Sequence, residues 1–155
     1  MPSSLRPAHL VAGTLSGETK LSCAPYMFLG NLHERNQGQK GKAVAVFHVG
    51  KHMCGHPGYI HGGFLSVMFD EVFAHCVALA FPSGTGMTAN LNVDFRKPAI
   101  PDRVYVLRAE TVKMEGRKAW MEGRLEMASG CEGETVAEAR ALFVEPKFAE
   151  VSCLS

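Results

Sequence analysis

One stretch limits what the rest of the chain can build: HPGYIHGGFLSVMFDEVFAHCVALAFPSG, residues 56–84. Phe64, Leu65, Val67, Met68, Phe69, Val72, Phe73, Cys76, Val77, Leu79 and Phe81 fall almost all round the circumference of one helix over 62–81. Pro82-Ser83-Gly84 stops it. A helix apolar on nearly every side must be wrapped by other structure, and the flanking sequence offers only strands.

Residues 24–34 and 42–49 are strand-like and joined by the polar RNQGQKG, which predicts a hairpin. The segment GKHMCGHPGYIHGG is too rich in Gly, His and Pro for regular structure and is expected as a loop. After the helix, Met87, Ala89, Leu91, Val93 and Phe95 alternate with Thr88, Asn90, Asn92, Asp94 and Arg96, a period of two. Three further strands follow, RVYVLRAETVK, KAWMEGRLEM and TVAEARALFVE, separated by short glycine turns in the manner of an antiparallel meander. The pattern is α+β: a curved antiparallel sheet of about six strands wrapped around one long central helix, the hotdog arrangement. The expected layout is an N-terminal arm over 1–23, loose or with a short helix near Leu5–Ala12, the hotdog domain over 24–148, and a tail over 149–155.

At 155 residues the chain suits one domain, and 46% hydrophobic residues suffice for a core without disulfides. A net charge of +1 with both signs scattered gives no basic face for nucleic acid. The longest apolar run, 64–81, is interrupted by Asp70, Glu71 and His75, so no membrane span is expected. Five cysteines, an odd count without a CxxC, point to reduced thiols and a cytoplasmic protein. Residues 1–20 resemble no secretory signal and are poorer in arginine than a mitochondrial presequence, which makes mitochondrial import the lesser expectation.

Carboxylates in so apolar a helix need a reason. His61-Gly62-Gly63 lies where the helix begins, where backbone N–H groups lack intrahelical partners and the dipole is positive. Glycine admits close approach of a ligand to that backbone, which suits polarisation of a carbonyl, although two glycines also make a tight entry turn. Asp70 follows His61 by nine residues, roughly 180° round the helix and ~13 Å along it. One helix therefore cannot aim both a helix-start amide and the Asp70 carboxylate at one atom. Two copies packed antiparallel can, so if both groups act, the site lies at the interface of a homodimer. Asp70 and Glu71 point ~100° apart, and Asp70 is favoured as the acting acid, with Glu71 assigned to substrate binding. Local pairing, with Ser66 for Asp70 and with His75 for Glu71, is the structural alternative.

HGG with an aspartate nine residues after the histidine resembles the hotdog acyl-CoA thioesterases of the phenylacetate-degradation type. With HPGYIHGGFLSVMFDEVFAH, GMTANLNVDFRKP and MEGRK, residues 24–146 look closer still to the eukaryotic branch that includes mitochondrial long-chain acyl-CoA thioesterases. The resemblance implies that the Gly63 amide polarises the thioester carbonyl, with His61 shaping the turn and Gly62 beside the substrate. Asp70 from the other subunit would act as general base or nucleophile and Thr88 would position water. Asn90, one strand face with Thr88 by alternation, is expected beside the site. Arg96 and Lys97, and more weakly Arg117 and Lys118, match basic pairs that meet coenzyme A phosphates. Coenzyme A would enter as part of the substrate, with no other cofactor and no metal, and the assembly would be a homodimer or a dimer of dimers. The sequence departs from the pattern in the Glu71 that follows Asp70 and in the bulky Phe64 and Phe69, which bear on acyl-chain preference.

Three rivals remain. His48, His52, Cys54, His56 and His61 fall within 14 residues, a composition that suits zinc, although the spacing matches no standard site. A hotdog hydratase or dehydratase would use a histidine and an acid, and His75 and Glu71 stand at i and i+4. A non-catalytic acyl-thioester binding module is the third.

Overall fold

The computed structural model describes residues 3–34, 38–130 and 132–147 of the chain. The described residues form eight strands and one α-helix: β1 (Tyr26–Glu34), β2 (Gly38–Val49), β3 (Cys54–His56), β4 (Tyr59–Ile60), α1 (Gly62–Ala78), β5 (Met87–Phe95), β6 (Arg103–Glu115), β7 (Lys118–Ser129) and β8 (Glu132–Val144). Six form one antiparallel sheet in the order β1-β2-β6-β7-β8-β5, and β3 and β4 form a separate ribbon. This is the hotdog fold expected from the sequence.

The inner face of the sheet carries small residues opposite large ones on the helix. Ala43, Ala45, Ala109, Ala119, Ala137, Ala139 and Ala141 are buried, while Leu65, Met68, Phe69, Val72, Phe73 and Cys76 fill the space above them. Close approach demands glycine at two points. A Cβ at Gly123 would lie 2.6 Å from the Phe73 ring, and one at Gly41 would lie 2.2 Å from the Cys76 carbonyl oxygen. Each buried Phe contributes about 1.5–3 kcal/mol of transfer free energy.

Three local expectations change. The helix ends at Ala78 rather than at 81, where the chain tightens and the Leu79 and Ala80 N–H groups bond the Cys76 and Val77 carbonyls three residues back. Phe81 folds back into the core instead, 4% exposed, its N–H on the Val77 carbonyl. The histidine-rich segment expected as a loop contains a 3₁₀ turn (Lys51–Met53) and the β3–β4 ribbon, turned at Pro57-Gly58 with Gly58 at φ 87°. The N-terminal segment is docked. A 3₁₀ turn (Ser3–Ala8) and a π turn (Leu10–Thr14) bury Val11, and Leu21 is buried where it bridges Val49. Backbone bonds from Gly50 N–H to the Lys20 carbonyl and from His52 N–H to the Thr19 carbonyl fix this segment to the loop after β2. Residues 35–37 of the polar turn, Cys131, and the tail with Cys153 lie outside the described residues.

Candidate active site

The ribbon delivers the chain to the helix start. Ile60 N–H bonds the Ala99 carbonyl and His61 N–H the Met53 carbonyl. His61 is extended (φ −64°, ψ 128°) and caps the helix, its Nδ1 accepting the Gly63 N–H at 2.8 Å. That bond fixes Nδ1 as the unprotonated nitrogen. Phe64 and Leu65 N–H bond the His61 carbonyl. Gly62 N–H has no acceptor among the described residues, and a Cβ on Gly62 would stand 3.1 Å from the Phe95 ring. The free helix-start donor is thus Gly62, while Gly63, expected as the polarising amide, is held by His61.

Asp70 accepts a 2.6 Å hydrogen bond on Oδ1 from the Thr88 hydroxyl of β5, a pair of groups 18 residues apart. The pair sits beside a helix face left open by the sheet. Gly63, Val67, Asp70 and Ala74 form that face at intervals of four, three and four residues, and none of them is fully buried. Gly63 and Asp70 are seven residues apart, so they share a face to within about 20° and are separated by about 10 Å along the axis. The axial separation keeps the two groups from one atom within a single chain.

Glu71 points elsewhere. Its carboxylate lies 3.6 Å from His9 Nε2 and 3.9 Å from His75 Nδ1, under the N-terminal segment, and His75 Nδ1 is 2.9 Å from the Glu71 carbonyl. The expected pairing of Glu71 with His75 is present. Ser66 instead donates to the Gly62 carbonyl at 3.0 Å.

The expectation that Asn90 shares a strand face with Thr88 is not met. Between the two, β5 bulges against β8: Thr88 pairs with Phe143 and Asn90 with the next residue, Leu142. Paired residues in an antiparallel ladder share a face, so Thr88 faces inward with buried Phe143 and Asn90 faces outward with Leu142. The bulge restarts the alternation, and Leu91, Val93 and Phe95 then share the inward side.

Arg96 and Lys97 are close to the helix start but are engaged. Arg96 Nε lies 2.9 Å from Glu138 and Lys97 pairs with Glu134, both at exposed positions. The Val136 carbonyl, freed by a β7–β8 bulge, accepts both of their backbone N–H groups. Arg117 bonds the Glu145 carbonyl at 2.9 Å. The histidines of the 48–61 segment face separate partners, His48 with Ser22 and His52 with Thr19, and among the described residues no three His, Cys, Asp or Glu side chains converge as a metal site. Cys23, Cys54 and Cys76 are free thiols. No helix of the described residues is long and apolar enough to cross a membrane.

One antiparallel sheet of six strands packed around one long helix defines a hotdog protein. The thioesterase superfamily matches residues 57–133. An uncharacterized protein of Schizosaccharomyces pombe is 36% identical over 127 residues, 81% of this chain and 69% of that protein. A mitochondrial uncharacterized protein of Candida albicans is 31% identical over 150 residues, 95% of this chain and 64% of that one. Acyl-coenzyme A thioesterase THEM4 of Rattus norvegicus is 34% identical over 110 residues, 71% of this chain and 45% of that one. The chain thus spans between about half and two thirds of these relatives' lengths. A solved thioesterase from Streptococcus pneumoniae with coenzyme A superposes with TM-score 0.60 at 19% identity, covering 76% of this chain and 87% of that one. The chain belongs to the thioesterase superfamily.

Proposed function

We propose that the chain hydrolyses an acyl thioester, acyl-coenzyme A or an acyl-carrier conjugate, to a free acid and a thiol. The observation that carries this reading is the Asp70–Thr88 pair on the open face of a helix whose first amide is free. The Gly62 N–H, with the Gly63 N–H if His61 releases it, would bond the thioester oxygen as negative charge develops there. Asp70 keeps one carboxylate oxygen for the Thr88 hydroxyl and has the other for a water proton. Hydroxide oxygen bonds the acyl carbon, the C–S bond breaks, and the sulfur leaves to be protonated as thiol. Direct attack by the Asp70 carboxylate, with hydrolysis of the resulting anhydride, balances equally. Neither route requires a metal or organic cofactor.

The amide and the carboxylate would come from two subunits. The separation of Gly63 and Asp70 along one helix supports this, as does the free edge of β5. That strand is nine residues long and ends in Met87 and Phe95, each 54% exposed, an edge that in isolation invites pairing. A homodimer across β5 and the open helix face, with two equivalent sites, answers both observations. Of the two locations expected from the sequence, the mitochondrial one is favoured here, with the mitochondrial Candida albicans relative as its support.

The test is thiol release from acetyl-, hexanoyl-, decanoyl-, palmitoyl- and phenylacetyl-coenzyme A by wild type and Asp70→Asn. Release that collapses in the variant supports the reading. Release that persists moves the base elsewhere. Absence of release with hydration of an enoyl thioester would favour the hydratase, and binding without turnover the non-catalytic module.

A further inference from the structure

Two grooves meet at the helix start, and they differ in chemistry. One, about 350 Å³, is bordered by Gly62 and Phe95 and rimmed by Arg96, Lys97 and Pro98. The other, about 310 Å³, runs from His61 along the helix between Phe64 and Val67 on one side and Leu10 and Leu15 of the N-terminal segment on another, with His52, Met53 and Cys54 completing it. No Asp, Glu, Lys or Arg lines the second groove. A thioester whose carbonyl sits at the Gly62 amide has two arms, a polar one through sulfur and an apolar one through the acyl carbon.

We propose that the apolar groove beneath Leu10 and Leu15 takes the acyl chain while the groove at Phe95 and Arg96 takes the thiol arm, and that the docked N-terminal segment is the wall that limits acyl length. The proposal rests on the thioesterase reading and deepens it. Three observations place the wall. The segment is anchored on the chain before Leu10 and after Leu15, by His9, 3.6 Å from the Glu71 carboxylate, and by the bridge of Leu21 to Val49. Leu10 is 52% exposed although it borders an apolar groove, so an acyl chain laid against it would cover surface now in water. The floor is the Phe64 ring, itself 7% exposed and unable to sink further into a filled core.

The volume sets the scale. A methylene fills about the roughly 30 Å³ of a water's share of liquid, so the groove holds on the order of ten such groups. A chain of about ten carbons fits, and a palmitoyl chain would have to leave about its last six carbons outside.

The experiment has two independent readouts. In the first, kcat/KM is measured for acetyl-, decanoyl- and palmitoyl-coenzyme A with wild type and Leu10→Trp, which fills the groove from an exposed position. The decanoyl-to-acetyl ratio of kcat/KM is expected to fall about 10–100-fold, the worth of lost contacts in an apolar pocket. Leu15→Trp is the second variant and should act in the same direction. In the second readout, alkylation of Cys54 by iodoacetamide is followed by peptide mass spectrometry with decanoic acid or acetate present. Decanoic acid should slow it and acetate should not. An equal decanoyl-to-acetyl ratio in wild type and Leu10→Trp, or Cys54 alkylation indifferent to decanoic acid, overturns the acyl assignment while leaving hydrolysis intact. Failure of wild type to cleave any thioester overturns the proposed function, and protection of Cys54 then reports the groove by itself.

Discussion

At the scale of residues, the site reduces to two hydrogen bonds, Thr88 to Asp70 and Gly63 to His61, and one vacant donor, the Gly62 N–H. Asp70→Asn keeps the shape of the side chain and its bond from Thr88 but cannot take a proton from water, so turnover should drop about 10²–10⁴-fold in a steady-state assay with thermal stability unchanged. Thr88→Val removes the hydroxyl from a carboxylate, a bond worth about 1.5–3 kcal/mol, and should lower kcat more than it raises KM. His61→Ala removes the cap on Gly63. Thermal denaturation should show a loss of about 0.5–2 kcal/mol, and the variant would distinguish a turn-shaping role from a catalytic one by how far activity falls beyond that of a less stable fold. The His61–Gly63 turn and Asp70 on the helix follow from local spacing, whereas Thr88 entered only through the family resemblance. That the first amide rather than the second is free was not legible in sequence, because the deciding contact is the direction of the His61 ring, which spacing does not encode.

At the scale of elements, the helix and the sheet fit through close approach. Gly123→Ala would place a methyl 2.6 Å from the Phe73 ring and should destabilise the fold by about 1–3 kcal/mol, read from the denaturant midpoint. Strand β5 carries the most consequential local irregularity. Simple alternation over GMTANLNVDFR puts Thr88 and Asn90 together, and the bulge at Ala89 separates them. Alternation is a property of regular pleat, and a sequence does not announce where one extra residue will be accommodated. The helix boundary was misplaced for a related reason. Phe81 is apolar enough to extend the periodic pattern, yet it reaches the core from a turn.

For the whole molecule, burial makes two groups sensitive to alkali. The Cys76 thiol, fully buried, is pushed by desolvation from 9.0 to about 12, and the Tyr105 hydroxyl, bonded to the Ile100 carbonyl, from 10.0 to about 12 for the same reason. Both are neutral when protonated, so raised values in the fold mean that the unfolded chain loses these protons first. Their contribution is intact below pH 9 and is lost as pH rises towards 12, at up to about 1.4 kcal/mol per unit for each group. Denaturation midpoints measured from pH 8 upward should decline over this window, and Cys76→Ala should flatten part of the decline. Cys76 should also resist alkylation until the protein unfolds. Sedimentation of the intact chain should give a dimer, and Phe95→Lys with Met87→Lys on the β5 edge should yield monomer with little turnover. A fully active monomer would refute the shared site.

The sequence by itself determined the hotdog layout, since a helix apolar on so many sides admits few partners and the only partners written in this chain are strands of period two. It also determined the HGG entry and the helix aspartate, because local spacing on a helix is geometry that needs no tertiary context. Tertiary structure alone decided the rest. It joined Asp70 to Thr88 across 18 residues, turned Asn90 outward, committed Arg96 and Lys97 to Glu138 and Glu134, and docked an N-terminal segment, expected as a loose arm or a short helix, so that Leu10 and Leu15 line a groove. Each of these depends on contacts between parts of the chain remote in sequence, whose free energies are settled by packing and by competition among charged partners rather than by the residues on either side.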